Sequence, residues 1–137
     1  MYPTPYNKVN LPGIDDLQNE FPNTIIGLSD HSIGITSCLG AYMKKCCIFE
    51  KHFTSSKLWE GPDIEISITP KELKKLIEDL NILKEWKHNY DFSFKSEKNH
   101  LCTLIVCGLQ NLQSIFHVRF NFPKKLFASS RIIDELS

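Results

Sequence analysis

Thr24-Ile25-Ile26-Gly27-Leu28-Ser29-Asp30-His31 and Cys46-Cys47-Ile48-Phe49-Glu50-Lys51-His52 are the two stretches that decide how this chain folds. Each opens on a short apolar run with strand character, Thr24 to Leu28 and Cys46 to Phe49, and reaches a histidine just beyond it. Between them Ile35, Leu39, Tyr42 and Met43 recur at helical spacing. That spacing predicts a helix over residues 33–44, with Lys44 and Lys45 favouring its C-terminal end. Strand, helix and strand joined closely make a parallel α/β unit, and such short apolar strands are expected to be buried on both faces. Parallel strands would deliver His31 and His52 to the same carboxyl edge of the sheet. That edge is where α/β barrels and open α/β sheets place their chemistry. Two imidazoles converging there form a candidate divalent-metal site.

Upstream of this unit, Pro3 and Pro5 exclude helix and bias residues 1–11 to extended backbone. Pro12 suits a first helical position. A helix is predicted from there to about Phe21, with Ile14, Leu17 and Phe21 buried and Asp15, Asp16 and Glu20 wet. Pro22-Asn23 ends it. Downstream, Thr54 to Asp63 reads as a loop punctuated by Gly61-Pro62. Thr69, Pro70 and Glu72 then form a capping box with proline in the first turn. The helix they start carries Leu73, Leu76, Ile77, Leu80 and Leu83 as one apolar stripe, and Lys71, Lys74, Lys75, Glu78 and Asp79 as a solvated face. Two strand-like runs follow, Leu101 to Cys107 and Ile115 to Phe122. In the second, Phe116, Val118, Phe120 and Phe122 alternate with His117, Arg119 and Asn121.

A length of 137 residues suits one domain. Sixteen basic residues balance sixteen acidic ones, so nothing in the charge points to nucleic acid or an anionic membrane. No apolar run approaches the roughly 20 residues of a membrane span, and the first residues carry no secretory signal. Five cysteines, two of them adjacent, fit reduced thiols in the cytoplasm better than a disulfide framework. Cys102 and Cys107 lack a second pair at zinc spacing, and all five read as buried free thiols. His88, His100 and His117 sit in no motif, and Trp59 and Trp86 read as packing residues.

Four motifs occur in order: Tyr2-Pro3-Thr4-Pro5-Tyr6, Gly27-Leu28-Ser29-Asp30-His31-Ser32, Glu50-Lys51-His52-Phe53-Thr54 and Glu60-Gly61-Pro62-Asp63. Together they resemble the N-acetylneuraminate (sialic acid) synthase family, which includes the legionaminate and pseudaminate synthases. The resemblance covers about residues 1–86 and implies the last quarter of a (β/α)₈ TIM barrel. It implies condensation of phosphoenolpyruvate with the open-chain aldehyde of an N-acetylated hexosamine such as N-acetylmannosamine, with Mn²⁺ or Mg²⁺ as cofactor. The positions of His31 and His52 match the family's metal ligands. Ser29 matches a phosphoenolpyruvate contact, and Tyr2 and Asp63 match sugar contacts. The resemblance also implies a homodimer for the full-length enzyme. Asp30 and Glu50 flank the histidines and are read as orienting a ring or pairing with a neighbour.

Two departures from the family pattern shape the expectations. The family's earlier strands, with the lysines and glutamates that hold phosphoenolpyruvate and move protons, have no counterpart before Tyr2. Residues 87–137 show no antifreeze-like domain and read as an unassigned tail, frameshifted or unrelated to the family; neither Arg119 nor Arg131 takes on the family's sugar-binding arginine. The chain is therefore expected to be part of a larger synthase and inactive alone, with a marginal fold of two strands whose edges stay unpaired. The alternative is a non-catalytic remnant or a small metal-binding α/β module. Tyr42-Met43-Lys44-Lys45-Cys46 also lacks the glycine that the family places between this helix and strand.

Overall fold

A computed structural model describes residues 2–87, 102–108, 115–120 and 126–127, with backbone alone from residue 87 onward. A short 3₁₀ turn (Tyr6–Lys8) leads to α1 (Pro12–Glu20), β1 (Gly27–Asp30), α2 (Thr36–Met43), β2 (Ile48–Phe53) and α3 (Pro70–Lys87). Strands β3 (Cys102–Gly108), β4 (Ile115–Phe120) and β5 (Leu126–Phe127) complete it. The sheet runs β1-β2-β3-β4-β5, parallel across the first three strands and antiparallel thereafter. The fold is α/β, as the strand–helix–strand pattern predicts. The expectation of a sheet limited to two strands is corrected, because β3 pairs in parallel with the far edge of β2 from Ile48↔Thr103 to Phe53↔Gly108. Among the described residues no helix is long and apolar enough to cross a membrane.

Both early strands start later than their apolar runs and extend to the histidines. Thr24 is taken up by a turn, its amide donating to the Phe21 carbonyl at 3.0 Å, and Ile25 stays 71% exposed. Cys46 is taken up in closing α2, its amide donating to the Ala41 carbonyl at 3.0 Å. Burial on both faces is also corrected. Leu28, Asp30, Phe49 and Lys51 lie toward the helices, whereas Gly27, Ser29 and Glu50 on the other face are exposed. One face carries the core and the other is open.

That core joins Phe49 to Cys38, Ala41 and Tyr42 of α2 and to Leu73, Leu76 and Leu80 of α3, with Ile77 and Leu83 partly buried beside them. Helix α3 is capped as predicted. The Thr69 amide donates to Glu72 Oε2 at 2.8 Å, and the Glu72 amide donates to Thr69 Oγ1 at 3.3 Å. Helix α1 departs from its predicted face. Ile14 is buried, but Leu17 and Phe21 are 47% and 50% exposed. Polar contacts set its orientation: Gln18 Nε2 donates to the Lys44 carbonyl at 2.7 Å, and Asp15 pairs with Lys44. Trp59 and Trp86, expected to pack, are 54% and 58% exposed.

The end of α2 shows what the absent glycine costs. The Lys45 amide donates to Tyr42 and the Cys46 amide to Ala41, a Schellman pair that requires a left-handed residue between them. Lys45 fills that place at φ 66°. A side chain there is strained by roughly 1 kcal/mol relative to glycine. Lys45→Gly is expected to stabilise the chain by about that amount, read as a higher urea midpoint at unchanged slope.

Candidate functional site

Asp30 and Lys51 are direct partners in the β1–β2 register. Successive side chains alternate between the faces of a strand, so the next residue of each, His31 and His52, turns to the opposite side from this pair. The two imidazoles meet there, with ring centroids 5.3 Å apart and planes inclined at 58°. Their carbonyls are held by neighbouring segments. The Thr4 amide donates to His31 at 3.0 Å, and the Ile68 amide donates to His52 at 2.8 Å.

The first of these bonds brings the N-terminal motif to the site. The Tyr2 ring lies 5.1 Å from His31 and 6.5 Å from His52, and its hydroxyl is 3.2 Å from His52 Nε2. Ser29 Oγ lies 3.1 Å from His31 Nε2. Asp63 closes the group from the loop after β2, its Oδ2 4.0 Å from His52 Nδ1. The loop is held by Lys57, whose ammonium donates to the carbonyls of Ile64 at 3.1 Å, Glu65 at 2.9 Å and Ser67. Tyr2, Ser29, His31, His52 and Asp63, singled out in the sequence, are thus brought to one place. Burial, a hydrogen bond with Asp63 and that carboxylate's charge all push the Tyr2 phenol above its ordinary range, so it remains a hydroxyl donor.

Each imidazole has one ring nitrogen within reach of a hydroxyl. The other, Nδ1 of both His31 and His52, is buried without a hydrogen-bond partner. A buried polar atom left unpaired calls for an explanation, and a ligand is one. Burial lowers the pKa of His52, the Asp63 carboxylate opposes that shift, and the positive field of a charged His31 adds to it. The net effect favours a neutral imidazole, the form that donates a lone pair to a metal. No group of three or more His, Cys, Asp or Glu side chains able to hold a metal occurs among the described residues. What the described residues offer a cation is two imidazole nitrogens, a donor type that suits Mn²⁺-like ions when oxygens from solution complete the shell.

Behind the site lies a network that sequence reading reached only in outline. Asp30 Oδ1 accepts from the Ser32 amide at 2.9 Å and the Ser32 hydroxyl at 2.7 Å. Its Oδ2 accepts from Ser37 at 2.7 Å, Cys38 at 3.3 Å and the Lys51 ammonium at 2.9 Å. Lys51 also donates to the Ser32 carbonyl. Asp30, which the sequence reads as pairing with a neighbour, does so; the burial of Lys51 follows from its register opposite Asp30, which its polar neighbours Glu50 and His52 do not announce. The cysteines of this region are free, and burial together with Cys47 pushes the Cys46 thiol up to about 11. Such a thiol is inert at neutral pH. The side chains of Cys102, Cys107, His117 and Arg119, and all of His88, His100 and Arg131, lie outside the described residues.

Burial alone would raise the Asp30 pKa. The hydrogen bonds from Ser37 and Ser32 and the charge of Lys51 outweigh it and hold the carboxyl below its ordinary 3.8. A group whose pKa is lower in the folded state stabilises the fold above the unfolded value, and that stability is lost as pH falls through the folded value. Melting temperature is therefore expected to drop as pH falls below 3.8, and Asp30→Asn should flatten that part of the profile.

Comparison with known proteins places residues 1–90 in the NeuB family. The chain is 38% identical over 101 residues to an N,N'-diacetyllegionaminic acid synthase of Campylobacter jejuni, a match covering 73% of this chain and 30% of that protein. It is 34% identical over 83 residues to the human N-acetylneuraminate-9-phosphate synthase, covering 61% and 23% respectively. Among solved structures it is similar to an N-acetylneuraminic acid (sialic acid) synthetase from Leptospira borgpetersenii. That likeness has a TM-score of 0.62 at 33% identity and covers 72% of this chain and 34% of the other. The chain spans no more than about a third of the length of these relatives.

Proposed function

The chain belongs to the NeuB family, and from that premise we propose that its paired histidines are the metal-binding part of a nonulosonic acid synthase centre. The reaction is condensation of phosphoenolpyruvate with the open-chain aldehyde of an N-acetylated hexosamine of the N-acetylmannosamine type. One observation carries the proposal: two imidazoles with ring centroids 5.3 Å apart, each with a buried ring nitrogen that makes no hydrogen bond, stand among Tyr2, Ser29 and Asp63.

On this reading residues 1–86 are neighbouring units of a TIM barrel. The exposed polar face of β1 and β2, with Ser29 and Glu50, is the interior, and the helix-covered face is the exterior. His31 and His52 would hold Mn²⁺ or Mg²⁺. Bound there, such an ion supplies Lewis acidity to a carbonyl oxygen, which a weak carbon nucleophile such as C3 of phosphoenolpyruvate requires. The Ser29 hydroxyl orients phosphoenolpyruvate. The Tyr2 phenol donates to the sugar and the Asp63 carboxylate accepts from it, which fixes the aldehyde against its attacker. The complete reaction also needs a phosphate anchor and proton-transfer groups beyond those described, and the whole enzyme is proposed to be a homodimer.

The test grafts residues 2–86 in place of the matching segment of the Campylobacter jejuni relative and follows phosphate release from phosphoenolpyruvate with N-acetylmannosamine-type sugars. Mn²⁺-dependent release that is abolished by His31→Ala is expected. A folded graft that binds both substrates and releases no phosphate would contradict the proposal.

A further inference from the structure

Lys51 and Asp30 precede the two histidines on their strands, and together they form a charge pair with side chains 0% and 3% exposed on the helix-facing side of the sheet. Replacing such a pair by apolar residues of similar size is often neutral or stabilising, because desolvating two charges offsets most of their attraction. Stability alone is thus a poor reason for a lysine here. Geometry offers a better one. Lys51 reaches over to Asp30 and to the Ser32 carbonyl, so its ammonium grips the residues on both sides of His31. Its own backbone leads directly into His52.

Asp30 adds to the same restraint. It takes up the Ser32 amide and hydroxyl and reaches Ser37 and Cys38 in α2, which ties the His31 turn to the helix behind it. Ser32 and Ser37 close the ring, their hydroxyls 2.6 Å apart. A hydrophobic pair could fill this space, but it would not fix the turn through directed bonds.

We propose that Lys51 and Asp30 are positioning residues for the histidine pair: back to back with His31 and His52, they lock the His31 turn to β2 and set the separation of the two imidazoles. The proposal rests on His31 and His52 acting as metal ligands, and it makes the network behind them the reason that two protein ligands are enough.

The test compares the wild-type chain with Asp30→Leu/Lys51→Met, which removes both charges together. Three quantities are measured: the melting temperature, the Mn²⁺ dissociation constant, and metal-free ¹H–¹⁵N spectra of the imidazoles. The double variant is expected to stay folded with a melting temperature near wild type and to bind Mn²⁺ about 10–100-fold more weakly, the range seen when outer partners of metal ligands are lost. Its His31 and His52 ring signals should move toward tautomer-averaged values. A folded double variant with unchanged Mn²⁺ affinity and unchanged ring signals would overturn the proposal. A wild-type chain that binds no Mn²⁺ would overturn the metal reading, and the metal-free ring spectra then decide the positioning role separately. Should the double variant fail to fold, Ser37→Ala, which removes one of the bonds to Asp30, is read in the same way. Weaker Mn²⁺ binding with altered ring signals supports the proposal, and wild-type values for both sink it.

Discussion

Truncating Phe49 to alanine is expected to destabilise the chain by about 3–5 kcal/mol, the largest single effect anticipated at any position of the core. Phe49 is completely buried near the start of β2 and belongs to the cluster formed with Cys38 and Ala41 of α2 and Leu73 and Leu76 of α3. Removing its ring takes apolar area out of the core and leaves a cavity between the sheet and two helices that cannot both close on it. Against a total stability of roughly 5–15 kcal/mol, such a loss leaves a substantial unfolded population. His52 lies three residues further along the same strand. Loss of the helix layer therefore also loosens the site. Urea unfolding followed by far-UV dichroism measures the effect, and Phe49→Leu should recover most of it. A cost below about 1 kcal/mol for Phe49→Ala would mean that β2 does not lie beneath those helices.

The second large effect falls on metal binding. His31→Ala and His52→Ala are each expected to weaken Mn²⁺ or Co²⁺ binding by more than the roughly 10–100-fold that follows loss of an outer hydrogen-bond partner. In the proposed two-nitrogen donor set, deleting either ring removes half of it. Both variants should stay folded, because neither ring belongs to the apolar core. Ser29→Ala and Tyr2→Phe remove hydroxyls that meet the other ring nitrogens and should cost less than losing a ring. Calorimetric titration orders the series. Equal affinity in wild type and both histidine variants would leave the histidines a purely structural role.

How much of this was legible beforehand depended on the range of the signal. Local signals read well. The Thr69–Glu72 box marked the start of α3 because capping is settled within a single turn, and the leucine stripe of that helix marked its buried side. Strand boundaries read less well, because an apolar run does not reveal that Thr24 and Cys46 are taken up by turns that close the preceding helices. Burial of one face or of both is not legible for the same reason. Leu28 and Phe49 look the same in sequence whether the opposite face is packed or open. The exposure of Leu17 and Phe21 goes with the contacts of Gln18 and Asp15 with Lys44, the residue that caps α2, which no helical period encodes.

The site divides along the same line. His31, His52, Ser29, Tyr2 and Asp63 could be named because motifs carry residue identity, but their convergence depended on register. That register, Asp30 opposite Lys51, is a long-range fact. The tail shows the limit most plainly. Two strand-like runs were visible in residues 101–122, yet nothing in them announced that β3 would pair in parallel with β2 instead of leaving that edge bare. Side-chain alternation gives a strand its faces but not its neighbour.

The central claim is that His31 and His52 bind one metal ion together, and electron spin-echo spectroscopy of Mn²⁺ added to the full chain tests it most directly. Coupling to the nitrogens of two imidazoles is predicted, falling to one in His31→Ala and in His52→Ala. Bound Mn²⁺ showing no imidazole coupling, or coupling unchanged by either substitution, would contradict it.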